Sequence, residues 1–128
     1  MFSIIIPTFN NIEYLKTCIE SIKKNSAYTH EIIPHVNEGT DGTLDYLKNN
    51  NIAYTYTSHN SGICTGMNMA AKKAKTQYIL YAHDDFYFCP NWDHVLINEI
   101  NKINHNSFYL SGTMVNNGQI QLNCGSDL

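Results

Sequence analysis

Short apolar runs alternate along the chain with longer segments whose apolar residues recur every three or four positions. Those two periods predict strands alternating with helices. Ser3, Ile4, Ile5 and Ile6 form an apolar, mostly β-branched run ended by Pro7, the pattern of a strand buried on both faces of a parallel sheet. Ile12, Leu15, Ile19 and Ile22 come next at helical spacing, and Asn10 with Glu13 three residues later predicts a capping box at that helix start. Residues 31–36 read as a second strand, in which Pro34 removes one ladder donor and favours an edge position, a bulge or an early end. Thr40 or Asp41 is placed to cap a short helix with Leu44 and Leu47 facing inward, and residues 52–57 alternate like a third strand.

The pattern continues beyond Ile63, where Met67, Ala70, Ala71 and Ala74 make a narrow stripe of mostly small residues. Such a stripe predicts a helix packed closely on a sheet. Residues 78–82 are expected to form another buried strand, with His83, Asp84 and Asp85 at its C-terminal end. Pro90 and Trp92 open a helix carrying Leu96, Ile100 and Ile103. Residues 108–115 and 119–122 flank Asn117 and Gly118, a pair that tolerates the positive φ angles of a tight hairpin. The order implies an α/β class with right-handed crossovers around a mostly parallel sheet flanked by helices.

Composition narrows the picture. With 128 residues, 43% of them hydrophobic, the chain is expected to be a single domain over residues 1–128. Its 8 basic and 11 acidic residues give a net charge of −3 and no basic stripe, which argues against nucleic acid as a partner. No apolar run approaches a membrane span, and the N-terminus lacks the features of a signal peptide, so the expected location is the cytoplasm, with peripheral membrane attachment as the variant. Cys18, Cys64, Cys89 and Cys124 stand far apart without a Cys-x-x-Cys pair. They are read as free thiols, mostly buried.

In an open α/β sheet, ligands bind outside the C-terminal ends of the strands. Four polar or glycine-rich segments fall there: Pro7 to Asn10, Asn37 to Thr43, Asn60 to Gly62, and His83 to Asp85. Adjacent Asp84 and Asp85 suit a hard divalent cation, which would neutralise the charge that builds on a departing diphosphate; magnesium or manganese keeps waters and phosphates in its shell, so one or two carboxylates suffice. The alternative is that the pair merely starts a loop. His83 is read as packing beside the strand end and hydrogen-bonding a carbonyl, with manganese ligation the lesser reading. Trp92 is read as core, with sugar stacking the lesser reading.

Taken in register, these segments resemble the family-2 glycosyltransferases, whose N-terminal half opens with an apolar strand and a Pro-Thr-aromatic-Asn turn. Thr40, Asp41, Gly42 and Thr43 resemble the end of the family's second turn; Asn60, Gly62, Asn68 and Ala71 resemble its Asn-x-Gly segment and the helix after it. Asp84 and Asp85 resemble the end of its Asp-x-Asp-Asp metal motif, and Tyr87, Pro90 and Trp92 fit the segment C-terminal to that motif. The resemblance implies a Rossmann-like GT-A fold that binds a nucleotide diphosphate sugar through Pro7, Thr8, Phe9, Asn10, Glu38, Asn60, Gly62 and Asp84. It implies a manganese or magnesium ion at Asp84 and Asp85. Thr8, Phe9 and Asn10 would cradle base and ribose, unless Phe9 is core and Asn10 only a cap. Glu38 would accept from uracil or ribose, unless it is an exposed turn carboxylate, and Asn60 and Gly62 would bring a helix N-terminus to a phosphate, unless they form an ordinary cap.

Two departures stand out: Ala82 occupies the first acidic position of the metal motif, and Val36, Asn37 and Glu38 replace the usual paired aspartates of the second turn. The resemblance also implies that the chain is truncated, lacking most of the acceptor-binding part and the general base that an inverting transfer requires. Asp93 and Glu99 are read as solvated helix residues and Asp127 as part of a loose terminus. The implied function is metal-assisted, inverting transfer of a sugar to a glycan, lipid or protein hydroxyl. The alternative is an incomplete donor-binding module that needs a partner. A hydrophobic flank exposed by truncation would favour self-association. A sugar-phosphate nucleotidyltransferase would need a Gly-x-Gly-Thr-Arg loop where Pro7 to Asn10 stand. A Rossmann dehydrogenase would need Gly-x-Gly-x-x-Gly at the same place.

Overall fold

A computed structural model describes residues 1–121. Met1–Asp93 forms one compact unit and the residues from His94 onward a second. The first holds four parallel strands, β1 (Phe2–Phe9), β2 (Glu31–Asn37), β3 (Thr55–Thr57) and β4 (Tyr78–Tyr81), in the order β3-β2-β1-β4. Helices α1 (Ile12–Asn25), α2 (Thr43–Asn49) and α3 (Ile63–Ala71) make the crossovers, as parallel pairing requires. The expected α/β class and parallel sheet are therefore present.

Strand β1 is central because its Ile4, Ile5 and Ile6 are buried on both faces. It pairs with β2 from Ser3 opposite Glu31 to Phe9 opposite Asn37, and with β4 from Phe2 opposite Tyr78 to Ile5 opposite Tyr81. Pro34 lies within β2, which is interior and runs on to Asn37, so the strand neither ends early nor forms an edge. Strand β3 pairs only from His35 onward; at Pro34 the ladder joins β2 to β1 alone, and a missing donor on the other side costs nothing there. Strand β3 is shorter than expected, and β4 is a half-covered edge rather than a buried strand. Ile79 and Tyr81 are exposed, alternating with the half-buried Tyr78 and Leu80.

Helix α1 turns Leu15, Cys18, Ile19, Ser21 and Ile22 into the core. Its predicted capping box does not form. Asn10 takes φ +45, a left-handed conformation that Asn tolerates, and its Oδ1 accepts from the Thr40 N–H at 2.9 Å instead. Glu13 pairs with Lys16 at 3.0 Å. The first free N–H of α1, that of Ile12, donates to Asp41 Oδ2 at 2.8 Å, so the helix is capped from a distant turn. Asp41 Oδ1 also accepts from the Thr43 N–H at 3.2 Å and the Thr43 hydroxyl at 2.7 Å, so that, of the two expected caps Thr40 and Asp41, the latter reaches the first residue of α2, whose N-cap position is held by Gly42.

Helix α3 lies on β1 and β2, with Met67, Ala71 and Ala74 packed against Ile5, Ile33 and Ala70. Gly66 permits the closest approach, since a Cβ there would come within 2.6 Å of His35 Cδ2. The buried His35 ring is held by the hydroxyls of Thr55 at 2.8 Å and Thr57 at 3.3 Å. Burial lowers its pKa, partly offset by the nearby Asn37 side chain.

Two expectations about burial are corrected. Cys18 is buried, but Cys64 and Cys89 are exposed; both lie in loop or helix-start positions, where apolar cover is thin. Cys124, Leu122 and Asp127 lie outside the described residues. Asp93 is not solvated but fully buried. Its carboxylate accepts from the N–H groups of Ala27 and Tyr28 at 2.9 and 2.8 Å and lies 2.8 Å from His30 Nε2. His30 Nδ1 accepts from the Phe2 N–H, so the proton sits on Nε2 and points at Asp93. Trp92 packs on Phe2, His30 and Phe88 at centroid distances of 5.9, 5.1 and 4.7 Å, as a core residue does.

In the second unit, the remainder of helix α4 (Trp92–Ile100) leads to an antiparallel hairpin of β5 (Met114–Asn116) and β6 (Gln119–Gln121). Asn117 and Gly118 take φ +50 and +76 at its turn, as their dipeptide predicts. The segment 107–113 is irregular rather than a strand. Glu99 is exposed and pairs with Lys102 at 2.6 Å. Among the described residues, no helix is long and apolar enough to cross a membrane.

Candidate donor-binding cleft

The parallel sheet delivers its strand ends to one side, and a cleft of about 590 Å³ opens there in the first unit. Strand β1 contributes Pro7, Thr8 and Phe9 and continues into Asn10 and Asn11. The turn into α3 contributes Asn60, Gly62, Ile63 and Cys64, while the end of β4 contributes Tyr81, His83 and Asp84. Seven of the expected site residues therefore meet: Pro7, Thr8, Phe9, Asn10, Asn60, Gly62 and Asp84. Glu38 and Asp85 lie outside the lining. Glu38 is a half-buried turn residue with φ +62 whose N–H donates to the Thr57 carbonyl at 2.9 Å. Asp85 is exposed one residue beyond Asp84.

Each wall has a local cause. Phe9 is 47% exposed, which rules out the core reading and leaves its ring as an apolar wall. Asn37, buried at the end of β2, anchors the turn before α3: its Oδ1 accepts from the Ser61 N–H at 2.8 Å and the Ser61 hydroxyl at 2.9 Å. Asn60 Oδ1 accepts from the Gly62 N–H at 3.0 Å, and Gly62 takes φ +82, a region open to glycine. The start of α3 is thus presented to the cleft with its unbonded N–H groups, a setting that favours an anion.

Opposite, the buried Thr8 hydroxyl donates to Asp84 Oδ2 at 2.6 Å. This bond joins the end of β1 to the loop after β4 and fixes one oxygen of a half-buried carboxylate. Among the described residues, the His83 ring bonds neither a carbonyl nor a carboxylate. Its Nε2 lies 3.0 Å from the Tyr81 hydroxyl, and its ring packs between Tyr81 and Phe86 at 5.1 Å each. Burial raises the Tyr81 pKa, and the charges of Asp84, Cys64 and Asp85 raise it further. Behind the site, burial and then the charges of Asp84 and Asp85 push the Cys18 thiol up to about 12.

Among the described residues, no three His, Cys, Asp or Glu side chains cluster to hold a metal. A cation that draws most of its shell from water and phosphate needs fewer, and the oxygen donors of Asp84 and Asp85 fit that chemistry.

The glycosyl transferase family 2 model matches residues 3–121. The chain belongs to glycosyltransferase family 2. It is 32% identical over 109 residues to an uncharacterized glycosyltransferase of Rickettsia typhi, a match covering 82% of this chain and 33% of that protein. It is 28% identical over 90 residues to TuaG of Bacillus subtilis, a putative teichuronic acid biosynthesis glycosyltransferase, covering 66% and 36% of the two. The family 2 chain thus spans about a third of the length of these relatives.

Among solved structures, TarS of S. aureus in complex with UDP-GlcNAc superposes with a TM-score of 0.71 at 24% identity, covering 79% of this chain and 31% of that one. The mannosyltransferase PcManGT of Pyrobaculum calidifontis, in complex with GDP-Man and Mn2+, superposes with a TM-score of 0.56 at 19% identity, covering 66% and 27%. These likenesses establish the GT-A fold. Asn37, Tyr81 and Cys64 are cleft residues that sequence reasoning did not assign as ligands. Their place at strand ends or a helix start beside assigned residues is the signal that would have found them.

Proposed function

We propose that the family 2 chain supplies the donor site of a glycosyltransferase that moves a sugar from a nucleotide diphosphate to an acceptor hydroxyl. The observation that carries the reading is the convergence of Thr8, Phe9, Asn10, Asn60, Gly62 and Asp84 on one cleft at the strand ends. Phe9 offers a face to the base, and the start of α3 offers N–H groups to a phosphate. Asp84 and Asp85 would hold manganese or magnesium, which when bound neutralises charge on the departing diphosphate. Thr8, through its hydrogen bond to Oδ2, orients the Asp84 carboxylate for that role.

Glu38, in the adjoining turn, is the candidate contact to base or ribose. Single displacement with inversion is the reaction proposed, at a glycan, lipid or protein hydroxyl, in a cytoplasmic or membrane-peripheral setting. It needs a second carboxylate as base, and among the described residues the cleft is lined by one, Asp84. That observation favours a second reading, a donor-binding module whose base comes from another segment or a partner.

Release of nucleoside diphosphate from UDP- and GDP-sugars, with manganese and a hydroxyl acceptor, separates the two. Release above the Asp84→Ala background supports the transferase; nucleotide binding without release supports the module. Neither binding nor release contradicts both.

A further inference from the structure

The loop that carries Asp84 and Asp85 is fastened along a polar stripe on α1. Cys18 Sγ contacts the His83 carbonyl oxygen at 3.6 Å. The Ser21 hydroxyl donates to the Cys18 carbonyl at 2.7 Å and accepts from the Phe88 N–H at 3.0 Å. Asn25 Nδ2 donates to the Phe88 carbonyl at 2.7 Å and to the Tyr87 hydroxyl at 3.3 Å. The Asn25 carbonyl accepts from the Asn91 N–H at 2.9 Å, and Ser26 Oγ accepts from Trp92 Nε1 at 3.0 Å.

Residues 18, 21 and 25 are spaced by three and four, which sets them on one face of the helix. Ser21 is 2% exposed among Leu15, Ile19 and Ile22. A hydroxyl buried in an apolar helix face is costly unless bonded; here its donor and acceptor capacities are both used, and what it accepts is a main-chain N–H of the acidic loop. Packing alone would have been served as well by alanine. The polar choice makes sense as a device for setting where the loop runs.

We propose that Ser21 and Asn25 are positioning residues of the donor site, holding the 83–91 loop so that Asp84 and Asp85 present their oxygens to a divalent cation. They lie outside the lining of the cleft and act through the loop, while Thr8 fixes the loop's other end through Asp84 Oδ2. The inference rests on the donor-site reading of the cleft.

The test uses calorimetric titration of UDP and GDP with and without manganese, read as the ratio of the two affinities, alongside thermal midpoints. Ser21→Ala removes the acceptor, Ser21→Thr keeps it, and Asn25→Asp removes the amide donor with the same shape. Ile22→Val trims the same helix in the core and reports stability loss alone. Ser21→Ala and Asn25→Asp are expected to cut the manganese enhancement about tenfold, the scale typical of groups that orient metal ligands. Metal-free affinity should hold, Ser21→Thr should restore the enhancement, and Ile22→Val should lower the midpoint with the enhancement intact. Asn25 is half-exposed, so its variant carries the test even where Ser21→Ala fails to fold. Enhancement intact in Asn25→Asp, or lost equally in Ile22→Val, overturns the positioning role. A wild-type protein that binds nucleotide with no manganese enhancement overturns instead the donor-site reading on which it rests.

Discussion

The hydroxyl of Thr8 donates to Asp84 Oδ2 across 2.6 Å, linking the end of the central strand to the acidic loop that comes after the edge strand. The two residues are 76 positions apart. Their bond means that the cleft is assembled by the sheet and not by either loop alone. Thr8→Val keeps the shape of the side chain and removes the donor. It is expected to weaken manganese-dependent nucleotide binding about tenfold while lowering stability by about 1 kcal/mol; calorimetry and urea unfolding check the two parts separately.

Cysteine reactivity should map the cleft. Cys18 is buried with its thiol pushed up to about 12, and a thiol without thiolate character is inert. Alkylation of the native protein near pH 8 is expected to label Cys64 and Cys89 and to spare Cys18 until denaturant is added. Cys64 lines the cleft, whereas Cys89 does not, so UDP or GDP with manganese should protect Cys64 selectively. Peptide mass spectrometry would count against the cleft assignment if both were protected equally.

The buried carboxylate of Asp93 holds two main-chain N–H groups and the His30 ring. Asp93→Ala strands all three donors in the interior, and the expected cost is about 3 to 5 kcal/mol. Chemical denaturation at neutral pH measures it directly. A loss under about 1 kcal/mol, the scale of an ordinary surface change, would mean that water reaches these groups.

Acid should loosen the molecule partly through Asp41. Burial acts to raise its pKa, but hydrogen bonds from the Thr43 hydroxyl, the Ile12 N–H and the Thr43 N–H outweigh it, leaving the pKa lowered. A carboxyl group whose folded pKa lies below its unfolded one stabilises the fold fully above the unfolded value. That stability is lost as pH falls through the folded value. Asp41→Asn is therefore expected to lower stability at neutral pH and to flatten the decline on acidification below the ordinary carboxylate range. Unfolding curves at a series of pH values test the slope.

Periodicity carried the element order well, because it reports which face of one segment is buried. Ile4 to Ile6 read as a two-faced strand, Leu15 to Ile22 as a core face, and Asn117 with Gly118 as a hairpin turn, and each stands so in the structure. Long-range polar partners leave no such trace. Asn10 looked like the cap of its own helix, but the N–H of Ile12 goes to Asp41, 29 residues away. Asp93 sat at a helix start, where an acid is normally solvated; nothing local announces that His30 and the 27–28 main chain meet it. Ser21 was likewise invisible as a loop anchor until Phe88 was placed beside it. The cleft was legible to the extent that strand ends converge in a parallel sheet, and Tyr81 and Cys64 enter it only through the geometry of β4 and α3.

The proposed transfer depends on a metal-assisted nucleotide site at Asp84. Calorimetric titration of UDP and GDP into the wild-type chain and Asp84→Ala, each with and without manganese, tests it most directly. The wild-type protein is expected to bind one of the nucleotides more tightly with manganese, and Asp84→Ala to lose this gain by about tenfold or more while keeping its fold. Undiminished manganese dependence in Asp84→Ala, or no binding of either nucleotide by the wild-type protein, would contradict it.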